Sequence, residues 1–197
     1  TFDSSGYTVN LGRDAISLDG NNDYLHVTNG YSNLFSGDNT TSLSFWFNAR
    51  NVSNDPVLFD AEDGAYSDLF YELSSANGFY WAQGGTFRTY SPAYSLNQWN
   101  HVVFVKTGAT TGDLYLNGSI LGSYTGNFGS SATSFGDLLI GKFKTGYNFN
   151  GLMDDIRIYN TNISGTDVAA LYNGGAGGAF LANEAGLRAA YVFSEGT

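Results

Sequence analysis

The sequence predicts an all-β domain, a sandwich or barrel, on three observations. Short runs alternating apolar and polar residues recur between turn clusters at nearly regular spacing. Aromatic residues make up 16% of the chain and 26 residues are glycine, against 13% charged; that balance suits half-buried pleated surfaces joined by tight turns. No amphipathic stretch runs beyond a few helical turns.

The elements follow in order. "DAISLDG" and "DYLHV" flank the turn "GNN". "SLSFWFNAR" places Leu43, Phe45 and Phe47 on one face of a strand and Trp46 on the other. "PVLFD", "LFYELSS", "GFYWAQ" and "TFRTYS" come next, then "NHVVFVKTG", "DLYLNGSILGSY" and "DLLIGKF". Within these, "LNGS" reads as an Asn-Gly hairpin turn. "GLMDDIRIYN" is a long strand, and "SGTDVAALY" is the one helix candidate. Ser164 or Thr166 would cap that helix, and Val168, Leu171 and Tyr172 would form its buried side. "GGAGGAF" is a flexible linker by composition. The closing "GLRAAYVFSEGT" supplies one more strand, alternating at Leu187, Ala189, Tyr191 and Phe193. The organisation is a core over 1–173, a linker over 174–185 and a strand over 186–197.

Composition bounds the function. A chain of 197 residues can bury a substantial single core. The formal net charge of −10, with eight Lys plus Arg, would repel a polyanion, so binding to a nucleic-acid backbone is not expected. Acidic side chains in glycine- and asparagine-rich loops fit calcium, which takes hard oxygen ligands; they fit plain solubility in salty surroundings equally well. The chain has no cysteine, hence neither disulfides nor a thiolate metal site. Its apolar runs are too short to insert into a membrane as helices. No signal peptide is evident, and the chain reads as a domain cut from a larger protein. The Asn-x-Ser/Thr matches at Asn39, Asn51, Asn117 and Asn162 are expected by chance in so Asn-rich a chain.

The segments "ISLDGNNDYLHV", "TSLSFWFNAR", "WNHVVFVKTG", "LYLNGSILGSY", "LLIGKF" and "FNGLMDDIRIYNTNISGTDVAALYN" resemble, in order and over roughly residues 14–173, a laminin-G-like, concanavalin A-type domain. The variety is that of large bacterial secreted and surface proteins. The resemblance implies a two-sheet antiparallel jelly-roll sandwich. It also implies that the C-terminal strand stands in for the family's first strand, which normally precedes a turn such as the "DSSG" found here near the start. Such a strand would either complete its own sandwich, through circular permutation, or belong to the next repeat of a tandem array. The expected state is accordingly a monomer or a strand-swapped dimer, with neighbouring repeats as further partners.

Three site classes follow. The resemblance implies a structural calcium, pointing to Asp155 and Glu195 and, less directly, to Asp19, Asp23 or Asp3; the same side chains could equally make turn hydrogen bonds. Catalysis is not expected. Related glycanases carry a Glu-x-Asp-x-x-Glu run on one strand, and "DAEDGAYSD" has the wrong order, so Asp60, Glu62, Asp63 and Asp68 read as loop solvation or ligand contacts. There is no Gly-x-Ser-x-Gly elbow, and His26 and His101 lie in strand patterns without a metal partner. Carbohydrate binding is the main expectation, because aromatic rings stack on sugars and several strands carry aromatics on both faces. Trp46, facing away from the core, would be joined by Glu72 and by either Tyr80 or Trp81. Phe87, Tyr90 and Tyr94 would come from the following loop and strand; each ring could instead simply fill the sandwich. The sequence thus predicts a non-catalytic, calcium-stabilised glycan-binding or adhesive module of a secreted or surface protein. Its rivals are a ligand-free structural repeat and a protein-binding spacer.

Overall fold

The structure, a computed structural model, describes residues 15–35, 38–61, 70–74, 78–82, 87–90, 94–125, 136–143, 146–176, 181 and 184–193. Alternating apolar positions produce thirteen described strands: β1 (Ile16–Asp19), β2 (Leu25–Val27), β3 (Thr41–Ala49), β4 (Val57–Ala61), β5 (Phe70–Leu73), β6 (Phe79–Ala82), β7 (Phe87–Tyr90), β8 (Asn100–Lys106), β9 (Thr111–Leu116), β10 (Ser119–Thr125), β11 (Leu138–Ile140), β12 (Asn150–Tyr159) and β13 (Leu187–Tyr191). Two helices, α1 (Gly30–Leu34) and α2 (Gly165–Tyr172), join them. The first sheet runs β1-β12-β3-β8-β9-β10, with β13 also on β12; the second runs β2-β11-β4-β5-β6-β7. Every described strand pair is antiparallel. The two-sheet antiparallel sandwich expected from the sequence is the fold observed.

The two sheets meet through aromatic rings. Phe45 of β3 lies 4.8 Å from Phe59, and Phe104 of β8 lies 4.2 Å from Tyr71 and 5.4 Å from Trp81. Most of these pairs are tilted or edge-on, the geometry that ring quadrupoles favour. Strand alternation places these rings inward, as Leu43, Phe45 and Phe47 were expected to be.

Trp46 points away from this core, as its position demands, yet it is only 1% exposed. Helix α2 lies over that face, and Tyr172 stacks on the indole at 5.7 Å, with His101 at 5.0 Å. The helix begins in a capping box: Asp167 N–H donates to Ser164 Oγ, and Ser164 N–H donates to the Asp167 carboxylate. Its apolar side, Val168 and Leu171, joins Val103, Val105 and Tyr159 in a second cluster on the outer face of the first sheet. The Asn-Gly turn is also present. Asn117 and Gly118 both have positive φ, as a type I′ hairpin requires. A Cβ on Gly118 would come within 2.7 Å of the Tyr172 ring, so the turn must stay glycine for α2 to seat.

β13 pairs with Ile156–Tyr159, beside "DDIRIYN", while β1 pairs with Asn150–Met153 on the same edge of β12. The two strands therefore share one lane, end to end and in one direction. Where the lane changes hands, β12 bulges at Asp155 (φ 48), and Phe193 N–H donates to Asp154. Arg157, 1% exposed, holds Asp155 through Nε at 2.6 Å and Nη2 at 3.2 Å. It also reaches Glu184 at 3.1 Å, and Glu184 in turn accepts from Tyr159 Oη. A buried charge this costly to desolvate persists only when paired this fully.

Candidate functional site

Three loops at one end of the sandwich border an open cavity of about 370 Å³. The first is the β1–β2 turn. Asp19 opens it as an Asx turn, its Oδ1 accepting from Asn21 N–H at 2.7 Å and from Asn22 N–H at 3.3 Å. The Asn21 N–H above all, with the other turn donors, holds the Asp19 carboxyl below its ordinary pKa. The second loop follows β3, with Asn54 and Asp55 both at positive φ; Asn and Asp tolerate that region better than most residues. The third precedes β12, where Tyr147 takes a left-handed φ of 55 and its carbonyl accepts from Val57 N–H at 2.8 Å. Asn148 ties the first and third loops together, its Nδ2 donating to the Asn21 carbonyl. The Asn148 Oδ1 is buried without a partner among the described residues.

The cavity wall is polar, and five of its nine lining residues are asparagines. Asn21, Asn51, Asn54, Asn148 and Asn150 line it with Asp19, and Tyr147 stands at its side with 47% of its surface exposed. The guanidinium of Arg50 is turned to the neighbouring strands instead, donating to the Leu18 carbonyl, Asn150 Oδ1 and Ser17 Oγ. Amide groups both donate and accept. A wall of them beside an open ring complements a ligand rich in hydroxyls and carrying apolar faces.

The residues predicted from sequence are scattered by comparison. Asp19 lies in this cavity, and Asp23 sits next to it, its Oδ2 accepting from Asp19 N–H. Asp155 is elsewhere. Asp19 stands opposite Asn150 on β12, and Asp155 is five residues further along, roughly 17 Å at about 3.4 Å per residue. Both Asp155 oxygens are taken by Arg157. Glu195 and Asp3 lie outside the described residues. Asp19, Asp23 and Asp155 therefore do not assemble as one calcium site, and no cluster of three carboxylate or imidazole ligands occurs among the described residues.

Of the aromatic set, Trp46 is sealed under α2 and cannot reach a ligand, because the helix claims the face that alternation gives it. Trp81, 1% exposed, fills the core, so Tyr80 is the member of that pair that points outward. Tyr94 is also buried, against Phe47 and Phe79. The backbones of Phe87 and Tyr90 lie in β7, and their side chains fall outside the described residues, as do Glu62, Asp63 and Asp68. Glu72 and Tyr80 do stand together, directly opposite each other on the outer face of the second sheet. Burial, helped by the nearby Asp55, pushes the Glu72 carboxyl up to about 8. Asp60 is buried on the same face, and His26 pairs with Asp137 at 2.7 Å.

Sequence reasoning missed Tyr147 and the asparagines around it. The signal was present as three Asn-rich turns, "DGNND", "NVSND" and "GYNFN". What joins them is the register of β1, β3 and β12, which brings the turns to one end of the sheet.

A family model described as the concanavalin A-like lectin/glucanases superfamily matches residues 19–169. A sequence comparison with curated proteins found no match. Among solved structures, the chain is similar to a Bacteroides ovatus protein provisionally named as carbohydrate-binding (TM-score 0.65, 15% identity, covering 92% of this chain and 52% of that one). It is similar also to domain 4 of an extracellular arabinanase from Geobacillus stearothermophilus solved with arabinotriose (TM-score 0.60, 17% identity, 79% and 74% covered). A third likeness is to a heptameric SAP-like pentraxin from Limulus polyphemus (TM-score 0.60, 14% identity, 94% of each chain). The chain spans about half the length of the Bacteroides protein. Identities this low show the fold alone.

Proposed function

The chain belongs to the concanavalin A-like lectin/glucanase superfamily, and we propose that it acts there as a non-catalytic carbohydrate-binding module of a secreted or surface protein. The observation that carries this reading is the amide-lined cavity with the open Tyr147 ring beside it. Its volume falls in the range of small-ligand sites. Its chemistry suits sugars: asparagines match hydroxyls in both directions, and a phenol ring offers an apolar face for stacking. Two of the similar structures carry names that refer to carbohydrate, which supports the same direction. The non-catalytic reading is supported by the carboxylates. Glycoside hydrolysis generally needs two, one of them protonated, and among the described residues the carboxylate lining the cavity is Asp19, its pKa lowered by its turn. Among the described residues, no helix is long and apolar enough to cross a membrane.

Calcium enters this proposal only at the Asp19–Asp23 turn, where a carboxylate, amide oxygens and backbone carbonyls are all hard ligands of the kind it takes. Its check is independent of sugar: the melting temperature should fall on adding chelator and recover with calcium. An unchanged melting temperature removes calcium from the proposal. The function itself is tested on a glycan microarray with the wild type and Tyr147→Ala. Wild-type binding lost in the variant, with near-ultraviolet dichroism unchanged, supports the cavity. A flat wild-type signal from folded protein rejects the module and leaves a structural or protein-binding domain.

A further inference from the structure

β13 is held to the sandwich from one side. Among the described residues its ladder runs to Ile156–Tyr159 of β12, and its outer edge carries none. β1 fills the other half of that lane, over Asn150–Met153. Ala189, Tyr191 and Phe193 pack on the main core, and Leu187 packs on the cluster beneath α2. Two ion pairs of opposite sense fix the strand's direction. Glu184, just ahead of it, takes Arg157 at 3.1 Å, and Arg188 within it reaches Asp38 at 3.8 Å. Both pairs are lost if the strand is laid the other way.

The lane tolerates being vacated. Arg157 keeps Asp155 through Nε and Nη2 when Glu184 leaves, so no buried charge is stranded. Departure uncovers the flanks of Ile156 and Ile158 and a row of β12 backbone groups. Such an edge pairs readily with another strand. The chain ahead of the strand can turn elsewhere. Four of residues 174–178 are glycine, and Gly174 and Gly175 already take positive φ, which glycine adopts without steric cost. A second copy of the chain offers an identical strand, with the same apolar positions and the same two charges.

We propose that the Ile156–Tyr159 edge of β12 accepts the 184–193 strand of a second copy of this chain in place of its own, so that copies join by strand exchange. Donor and acceptor lie on one molecule, and a reciprocal pair closes as a twofold dimer. The chain's own strand competes at an effective concentration of about 1 mM. Exchange is therefore a minor state in dilute solution and grows with concentration. It is independent of the glycan reading. The test exploits the lack of cysteine in the chain. Ile158 and Ala189 are cross-strand partners, and Ile158 is fully buried, so a thiol there meets only what lies in the lane. Full-length chains carrying Ile158→Cys alone and Ala189→Cys alone are mixed at about 10 μM to 1 mM, up to that effective concentration. After warm incubation they are oxidised and read by non-reducing gel and peptide mapping. A 158–189 disulfide between chains should form, its share rising about tenfold per tenfold in concentration while it is minor. The double variant, oxidised in dilute solution, should close within one chain. Should Ile158→Cys fold poorly, isotope-filtered NOEs between Ala189 of labelled wild-type chains and Ile158 of unlabelled ones replace the disulfide. The proposal is overturned if the double variant closes internally while the mixture gives no 158–189 link at any concentration, or if dimers form without that link. A double variant that fails to close contradicts the register and overturns it as well.

Discussion

Replacing Glu72 with Gln should stabilise the protein, by an amount that grows with pH. The carboxyl is pushed up to about 8 from its ordinary 4.5, first by burial and then by Asp55. Below about pH 4.5 the group is neutral in both folded and unfolded chains, and glutamine is a fair mimic. Between there and about pH 8 the unfolded chain loses this proton while the folded chain keeps it. Fewer protons are then bound on unfolding, so wild-type stability falls as pH rises. Above about 8 both states are ionised and the cost levels off. Each pKa unit is worth about 1.4 kcal/mol, giving an upper bound of about 5 kcal/mol. The side chain is only partly covered, so solvent screening reduces this to about 1–2 kcal/mol. Urea unfolding of wild type and variant across this range isolates the term, because every other titrating group cancels in the difference. A stability difference that is flat from pH 4 to 9 would refute the placement of Glu72 as a half-buried acid.

Four further outcomes follow from the packing. Arg157→Ala leaves Asp155 buried and unpaired and should cost about 3–5 kcal/mol in chemical denaturation. Leu171→Ala opens a cavity under α2 and should cost about 2–5 kcal/mol; Trp46 emission should shift to the red as Tyr172 loosens. Ser164→Ala removes the capping box and should cost about 1 kcal/mol, visible as a lower urea midpoint. Deleting 186–197 uncovers the Ile156–Tyr159 edge of β12 and should give a less stable chain that associates with rising concentration in sedimentation. A stable monomeric truncation would show that β13 adds little.

The fold was legible because alternation carries it. Phe45 and Phe47, Tyr71 and Leu73, Phe79 and Trp81 each sit two residues apart, and each pair points into the core. Local chemistry was legible too, since Asn117-Gly118 and Ser164 with Asp167 need no distant partner to form a turn and a cap. Alternation fails where a third layer intervenes. Trp46 occupies an outward position and would be a surface ring in a bare sandwich. Only the packing of Tyr172 across it, itself dependent on Gly118, makes it core. No periodicity in "SLSFWFNAR" encodes a helix more than a hundred residues later.

Sites fail for a different reason. Asp155 has the residue type and the strand of a ligand; Arg157 two residues on shares its face across the bulge and donates to both of its oxygens, while Glu195, the partner expected for it, lies outside the described residues. A carboxylate is available to a ligand only if nothing nearer satisfies it, and that competition is settled by backbone geometry at one residue. The cavity reverses the case. Its asparagines look like ordinary turn formers, and each alone would be read that way. They come together because β12 pairs with β1 on one side and β3 on the other, so that the turn after β1, the loop after β3 and the loop before β12 must converge. Tyr147 has a left-handed backbone whose carbonyl accepts from Val57 N–H, and its ring, edge-on to Phe143, is 47% exposed.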